Sequence, residues 1–295
     1  MNFFSASSSA SSAFSAVKSS LVFGLAGIAA DLNLTCGPRL TISTACASGL
    51  HALIRGAMLL GEGVDRVLVV AAESSLHPLF LGSFTRLGVL APPEIGCRPF
   101  DVNRRGFLVS EAAAAVCLER RTGGIQIERF AMLADATHLT RGDETGRMLR
   151  RLLSTAIGSR PLDLIHAHGT GTKANDETEL TAIQSALAAD FPPHPLLNCS
   201  TAPLLSRQQP ILYSHKGALG HTLGAAGLIS VVLNCQCHTH ACIPGNVRTS
   251  EPLPMPGLRF SQSILERRIS RSVVIASGFG GAGAAVTLNQ VSETI

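Results

Sequence analysis

The sequence predicts an α/β protein made of two successive strand-and-helix sets. Three observations carry that expectation. Strand-like and helix-like runs alternate through residues 20–119 and again from residue 125. Hydrophobic residues make up 46% of the 295 and charged residues 15%, the balance of a core-rich globular chain. Aromatic residues are only 4%, with no Trp and one Tyr. The interior must therefore be built from Ala, Val, Leu, Ile and many Gly, which suits tightly packed helix-on-sheet layers.

The elements follow in order. "SSLVFGLAGIAADLNL" reads as a helix over 20–32, and Gly37-Pro38 as a turn. "RLTIST" is a short β-rich run leading straight to Cys46. Leu50, Leu53, Ile54, Ala57 and Met58 fall on one helical face, and Gly61 and Gly63 stop that helix. "RVLVVAAES" reads as a strand buried on both faces, followed by a long Pro- and Gly-rich loop to "CRPFDVNRRGF". "AAAAVCLE" is another strand. A composition shift at "RRTGG" (120–124) marks a boundary. It divides a Ser/Ala-rich tail (1–19) and a first half (20–122) from a second half (123–295). The second half runs through a strand at "IQIERFAMLADA", a helix at 143–157, a strand at "LDLIHAH" and a helix at 176–189. It ends with a strand at "ILYSHK", an apolar helix at 222–236, and "RSVVIASGFGGAGAAVTL" as two strands around a glycine turn.

Several classes are excluded early. The net charge is +4 and the basic residues are scattered, with no concentrated patch and no stacking aromatics, so nucleic acid is not an expected ligand. A modestly basic surface still suits an acidic partner protein. "LVFGLAGIAA" is too short to span a bilayer, so no membrane segment is expected. With Lys18 and Ala29-Ala30 it imitates a signal peptide, yet it also reads as a buried helix, and a cytoplasmic location is expected. The eight cysteines (36, 46, 97, 117, 199, 235, 237 and 242) follow no secreted-type spacing and are expected as reduced thiols.

Five stretches bear on chemistry. Cys46 sits where a strand-like run gives way to a helix, where unpaired amides lower a thiol pKa, and small neighbours leave room for a substrate. A buried structural cysteine is the alternative. In "HAHGTGTKANDETE", His168 leaves a strand for a loop whose geometry Thr170 and Thr172 fix. Asp176 and Glu179 have capping-box-like spacing there. His166 is expected to face away from His168, which is the active one because the loop follows it. In "SHKGALGHTLGAAG", Lys216 and His221 straddle a glycine loop, so that the lysine biases the histidine. The alternative is a solvated lysine and a cap-region histidine. "SGFGGAG" spells a dinucleotide fingerprint, but a strand-like run follows it, so a turn that offers N–H groups to an oxyanion is expected instead. "CQCHTHAC" holds zinc-type ligands (Cys235, Cys237, His238, His240, Cys242) at a spacing that fits no common site, and neither metal nor cofactor is expected.

Taken in order, "TACASG", "RPFDVNRRGF", "HGTGTKANDETE", "SHKGALGHTLGAAG" and "GFGG" form a specific series. It resembles the β-ketoacyl-acyl-carrier-protein synthases of the thiolase-like superfamily, over about residues 20–290. The resemblance implies a layered α-β-α-β-α fold. It implies decarboxylative condensation of an acyl-cysteine with malonyl carrier protein, in fatty-acid or polyketide synthesis. It implies acyl carrier protein as partner, and a homodimer or a heterodimer with a related ketosynthase subunit. By resemblance Cys46 is the acyl-accepting nucleophile, and His168 and His221 are the two site histidines. Lys216 is the family lysine, Glu179 the supporting acid and Phe279 the gatekeeper, with backbone N–H groups of Cys46 and Phe279 as the oxyanion site.

Departures from the family pattern are Ser110 and Ala112 in place of glycines, Gly283 in place of asparagine and Lys173 in place of proline. Only 45 residues precede Cys46, so an incomplete first half is expected, missing strands of its sheet. A truncated non-catalytic partner or remnant is therefore the alternative function. A chain-length-factor partner typically loses the cysteine retained here. A thiolase proper fits less well, because its chemistry uses a second cysteine, and an exported binding protein is more distant still.

Overall fold

The computed structural model describes the backbone of Asn2–Phe3 and residues 24–34, 37–138, 142–188 and 209–291. The remainder of the Ser/Ala-rich tail, Cys36 and Cys199 lie outside the described residues. So do the first residues of the expected 20–32 helix, whose described part is α1 (Gly24–Asp31).

Nine strands join in one mixed sheet, in the order β2-β3-β1-β4-β11-β10-β5-β6-β8. Its members are β1 (Asn2–Phe3), β2 (Arg66–Glu73), β3 (Ala112–Glu119), β4 (Gly124–Ala134), β5 (Leu164–His166), β6 (Ile211–Tyr213), β8 (Arg259–Phe260), β10 (Arg271–Ser277) and β11 (Ala282–Val291). β7 (Cys242–Ile243) and β9 (Leu265–Glu266) pair separately. β10, β5, β6 and β8 run parallel, whereas β2–β3, β4–β11 and β10–β11 are antiparallel.

The helices are α2 (Ser48–Gly61), α3 (Pro78–Arg86), α4 (Arg147–Ile157), α5 (Lys173–Ala188), the short α6 (Lys216–Leu219) and α7 (Ala226–His240). β10 and β11 show how the layers form. Their side chains alternate between two cores, as the period of a strand requires. Val274, Ala276, Ala284 and Val286 face α2 and α7, which are covered on their other side by Val69, Val116 and Leu118 of β2 and β3. Val273, Ile275 and Ala285 face α4 and α5 through Leu152, Leu153, Leu180 and Ile183. The layers are β2–β3, then α2 and α7, then the C-terminal strands, then α4 and α5. This is the expected α/β layering. Among the described residues no helix covers the outer face of β2, where Leu68 is 37% exposed.

The sequence expectation errs at three places. "RLTIST" forms no strand, because no described strand lies beside it and an unpaired strand leaves its backbone unsatisfied. β2 is buried on one face only. The expected long loop contains α3, with Pro78 at its first turn and the His77 side chain accepting from Leu79 N.

The central layer depends on two glycines. A Cβ on Gly49 would stand 2.9 Å from Leu228 N, and one on Gly227 would stand 2.9 Å from Leu50 Cβ. Only bare backbone lets α2 and α7 approach so closely. Gly227→Val is expected to destabilise the fold by about 1–3 kcal/mol, the usual penalty of overpacking. Urea denaturation of the variant and the parent measures this, and an unchanged midpoint contradicts it.

Candidate active site

Cys46 lies in a strained turn. Ala45 has φ 51°, a left-handed conformation that costs an L-residue roughly 1–2 kcal/mol. The Ser48 hydroxyl holds the turn, accepting from Thr44 N at 2.8 Å and donating to Ala45 O at 2.6 Å. Gly278 closes against it, since a Cβ there would meet Thr44 O at 2.5 Å. The glycine turn between β10 and β11 is thus packed on the Cys46 turn. The Phe279 ring faces Phe84 at 6.5 Å.

A chain of contacts leads from Cys46 to both histidines. Cys46 shares a small buried cluster with Cys97, Phe107 and Leu223. Phe107 meets the His221 ring edge-to-face at 4.9 Å, and His221 meets His168 in the same manner at 5.4 Å. Lys216, 1% exposed, donates from Nζ to His168 O. The alternative of a solvated lysine therefore fails, and His221, which precedes the capping Thr222, is buried. Glu179, fully buried, accepts from His168 N at 2.6 Å, Gly169 N at 2.8 Å and Asn175 Nδ2 at 3.1 Å.

The acids of α5 do not form the expected capping box. Thr172 Oγ1 accepts from Asn175 N at 3.3 Å and fills the cap. Thr172 also bonds Thr170 Oγ1 at 2.9 Å. Asp176 turns back instead, accepting from Phe100 N at 2.7 Å and Gly171 N at 3.1 Å. Both acids tie down the loop that carries His168. The expectation about His166 also needs correcting. Residues two apart in a strand share a face, and the rings separate because β5 ends at His166. His166 then packs on Tyr213 at 4.8 Å while His168 packs on His221.

Burial sets the charge states. It pushes the Cys46 thiol up to about 11, against a downward pull from Lys216 and with a smaller upward push from Glu73. The expected helix-terminus activation is therefore outweighed by desolvation. Burial also holds His168 and His221 well below the ordinary histidine value, with Lys216 acting in the same direction. Glu179 is raised to about 7 by burial, and Lys216 is lowered by burial against the pull of Glu179.

Residues that the sequence reading overlooked include Glu73, which accepts from Gly224 N at 3.0 Å, and Phe107. The only signal for Phe107 was its place in "RRGF". A cavity of about 700 Å³ opens beside Thr172, lined among others by Val89, Arg98, Arg105 and Lys173. Cys235, Cys237, His238 and His240 lie on α7 and Cys242 on β7. Among the described residues no three such groups are placed to hold a metal ion, and no helix is long and apolar enough to cross a membrane.

Fold and site define a layered α/β protein of the thiolase-like class, with a buried thiol, two neutral imidazoles and a buried lysine at the meeting of its halves. The sequence matches the descriptions "Beta-ketoacyl synthase, N-terminal domain" over residues 4–123 and "Beta-ketoacyl synthase, C-terminal domain" over residues 127–250. The chain belongs to the β-ketoacyl synthase family. It is 29% identical over 280 residues to the tetracenomycin polyketide synthase ketoacyl synthase alpha subunit of Streptomyces glaucescens, covering 88% of this chain and 61% of that protein. It is 29% identical over 289 residues to 3-oxoacyl-(acyl-carrier-protein) synthase 2 of Coxiella burnetii, covering 92% of this chain and 65% of that protein. A solved type II polyketide ketosynthase in complex with its acyl-carrier protein superposes with a TM-score of 0.77 at 25% identity, over 92% of this chain and 68% of that one. The chain spans about 60% of the length of the curated relatives it matches.

The five described buried histidines 166, 168, 215, 221 and 238 are all held below 6.5, chiefly by burial. The unfolded chain protonates them below that value and the folded chain does not. Their neutral state therefore contributes stability above pH 6.5 that is lost as pH falls toward the folded values, about 3 for His166. The buried acids Glu179, raised to about 7, and Asp176, also raised by burial, act oppositely, two groups against five. Urea titrations are expected to show stability dropping from pH 6.5 to pH 5. A flat profile over that interval contradicts the neutral assignment.

Proposed function

We propose that this chain carries the condensing site of a β-ketoacyl synthase, with Cys46 as nucleophile. The observation that carries the reading is the run of ring contacts joining the Cys46 cluster to His221 and His168, with Lys216 bonded to the His168 carbonyl. The Cys46 thiol attacks an acyl-carrier thioester. Its proton passes through a neutral imidazole to the departing carrier thiolate, leaving acyl-Cys46. Malonyl carrier protein then loses CO2. The resulting enolate attacks the acyl carbonyl, and collapse of the tetrahedral intermediate expels the Cys46 thiolate, which takes a proton from solvent.

Neutral His168 and His221 donate N–H groups to the malonyl thioester oxygen as the enolate develops. The backbone amides of Cys46 and Phe279 hold the tetrahedral oxyanion. Lys216 and Glu179 fix the His168 loop. We place the carrier arm in the cavity beside Thr172, where Arg98, Arg105 and Lys173 suit an acidic carrier protein. The protein works as a homodimer or with a related ketosynthase subunit, and its acyl chains belong to fatty-acid or polyketide synthesis.

A second reading, a non-catalytic partner subunit, is favoured by one observation. β2 stands at the sheet edge with its outer face open among the described residues. Acylation separates the two readings. Intact mass after incubation with acyl carrier protein should show one acyl group on the parent and none on Cys46→Ala. His168→Ala should still acylate, with condensation reduced at least about 100-fold. Acylated Cys46→Ala, or normal condensation by His168→Ala, overturns the first reading.

A further inference from the structure

One buried pair has no part in the reaction described above. His166 Nε2 lies 2.9 Å from His215 Nδ1, and both rings are fully buried. His215 Nδ1 also lies 3.4 Å from Ser230 Oγ of α7. His215 Nε2 has no hydrogen-bond partner among the described residues, and His166 interacts with the Asn234 side chain. An orphaned buried polar atom costs about 1–3 kcal/mol, whereas two aliphatic side chains would fill such a space without that cost. Stability alone does not account for the pair.

Its location does. The β5–β6 ladder ends at His166 and Tyr213, with Ala167 N donating to Tyr213 O at 2.9 Å as the next backbone bond. Past this point the chains part into the two catalytic loops. Buried side-chain links then hold them: Ser214 Oγ to Gly169 O at 3.1 Å, Lys216 Nζ to His168 O, and the histidine pair. Lys216 opens a helix of only four residues. So short a helix has no stability of its own, and its position depends on such links. His215 immediately precedes it.

We propose that the His166–His215 pair is a positioning element that sets Lys216 against the His168 loop. Its catalytic consequence rests on the condensing reading above, while its geometric consequence does not. The test compares His166→Leu, which removes the bond, with His166→Gln, which keeps a polar atom near the Nε2 position. Three readouts are taken: melting temperature, condensation kinetics, and iodoacetamide alkylation of Cys46 at pH 9. The alkylation reports Lys216, whose charge favours the Cys46 thiolate.

His166→Leu is expected to keep its melting temperature and its KM, to lose about 10-fold or more in kcat, and to alkylate about 3-fold more slowly. His166→Gln should restore both rates to near parental values. If the parent condenses and His166→Leu matches it in kcat and alkylation, the proposal falls. It falls equally if kcat and alkylation decline only in step with a lost melting transition, or if His166→Gln restores nothing. If the parent itself does not condense, the alkylation comparison alone decides for or against the pair, and the failure belongs to the condensing reading.

Discussion

The close crossing of α2 and α7 is the constraint on which the rest depends. α2 begins two residues after Cys46, and α7 begins five residues after His221. Gly49 and Gly227, each near the start of its helix, let the two backbones touch. That contact fixes the beginnings of both helices relative to each other, so the Cys46 thiol and the His221 imidazole arrive together without long loops reaching across the fold. The same two helices separate β2–β3 from β10–β11. One crossing therefore orders the layers and gathers the site.

Burial then decides the chemistry that the gathered groups can perform. Water would hydrate a thiolate and protonate an imidazole near neutrality. Here His168 and His221 are 4% and 1% exposed and stay neutral, able to donate or accept a proton without first changing charge. The same dryness makes the Cys46 thiolate costly. Cys46 thus resides as a thiol, and its ionisation needs an acceptor for the proton. Lys216 is the compensating charge: it lowers the thiol and disfavours imidazolium at once.

Much of this was legible in the sequence because the chemistry sits in short local stretches. Cys46 stands where a strand-like run gives way to a helix, His168 where an apolar run enters a small-residue loop, and Lys216 and His221 straddle a glycine loop. β3 appears at Ala112–Glu119, where the run "AAAAVCLE" placed it. What failed depended on partners distant in sequence. "RLTIST" has strand composition, but a strand exists only with a neighbour. In "RVLVVAAE" nearly every residue is apolar, so no alternation could reveal that one face would be open. α3 presents Leu79 and Phe80 to solvent, 70% and 50% exposed, and so lacks the inward stripe by which a helix is recognised. The acids of α5 have a spacing shared by two structures, a capping box and a loop clamp, and only the fold chooses between them. The lowered thiol pKa was a local argument defeated by a non-local quantity, the depth of burial.

Glu179 shows why the loop clamp matters beyond geometry. Its two carboxylate oxygens accept from His168 N and Gly169 N, and its charge faces Lys216 across the same loop. Burial raises it to about 7, while the backbone amides and Lys216 pull it down. Each interaction that favours the carboxylate therefore also straightens the His168 loop. Protonating Glu179 would weaken the amide bonds and leave Lys216 with less compensation in a dry site. Lys216 would then lose part of its reason to stay charged, and with it Cys46 would lose part of what favours its thiolate. The charge of one acid is thereby linked to the position of His168 and, through Lys216, to the reactivity of Cys46.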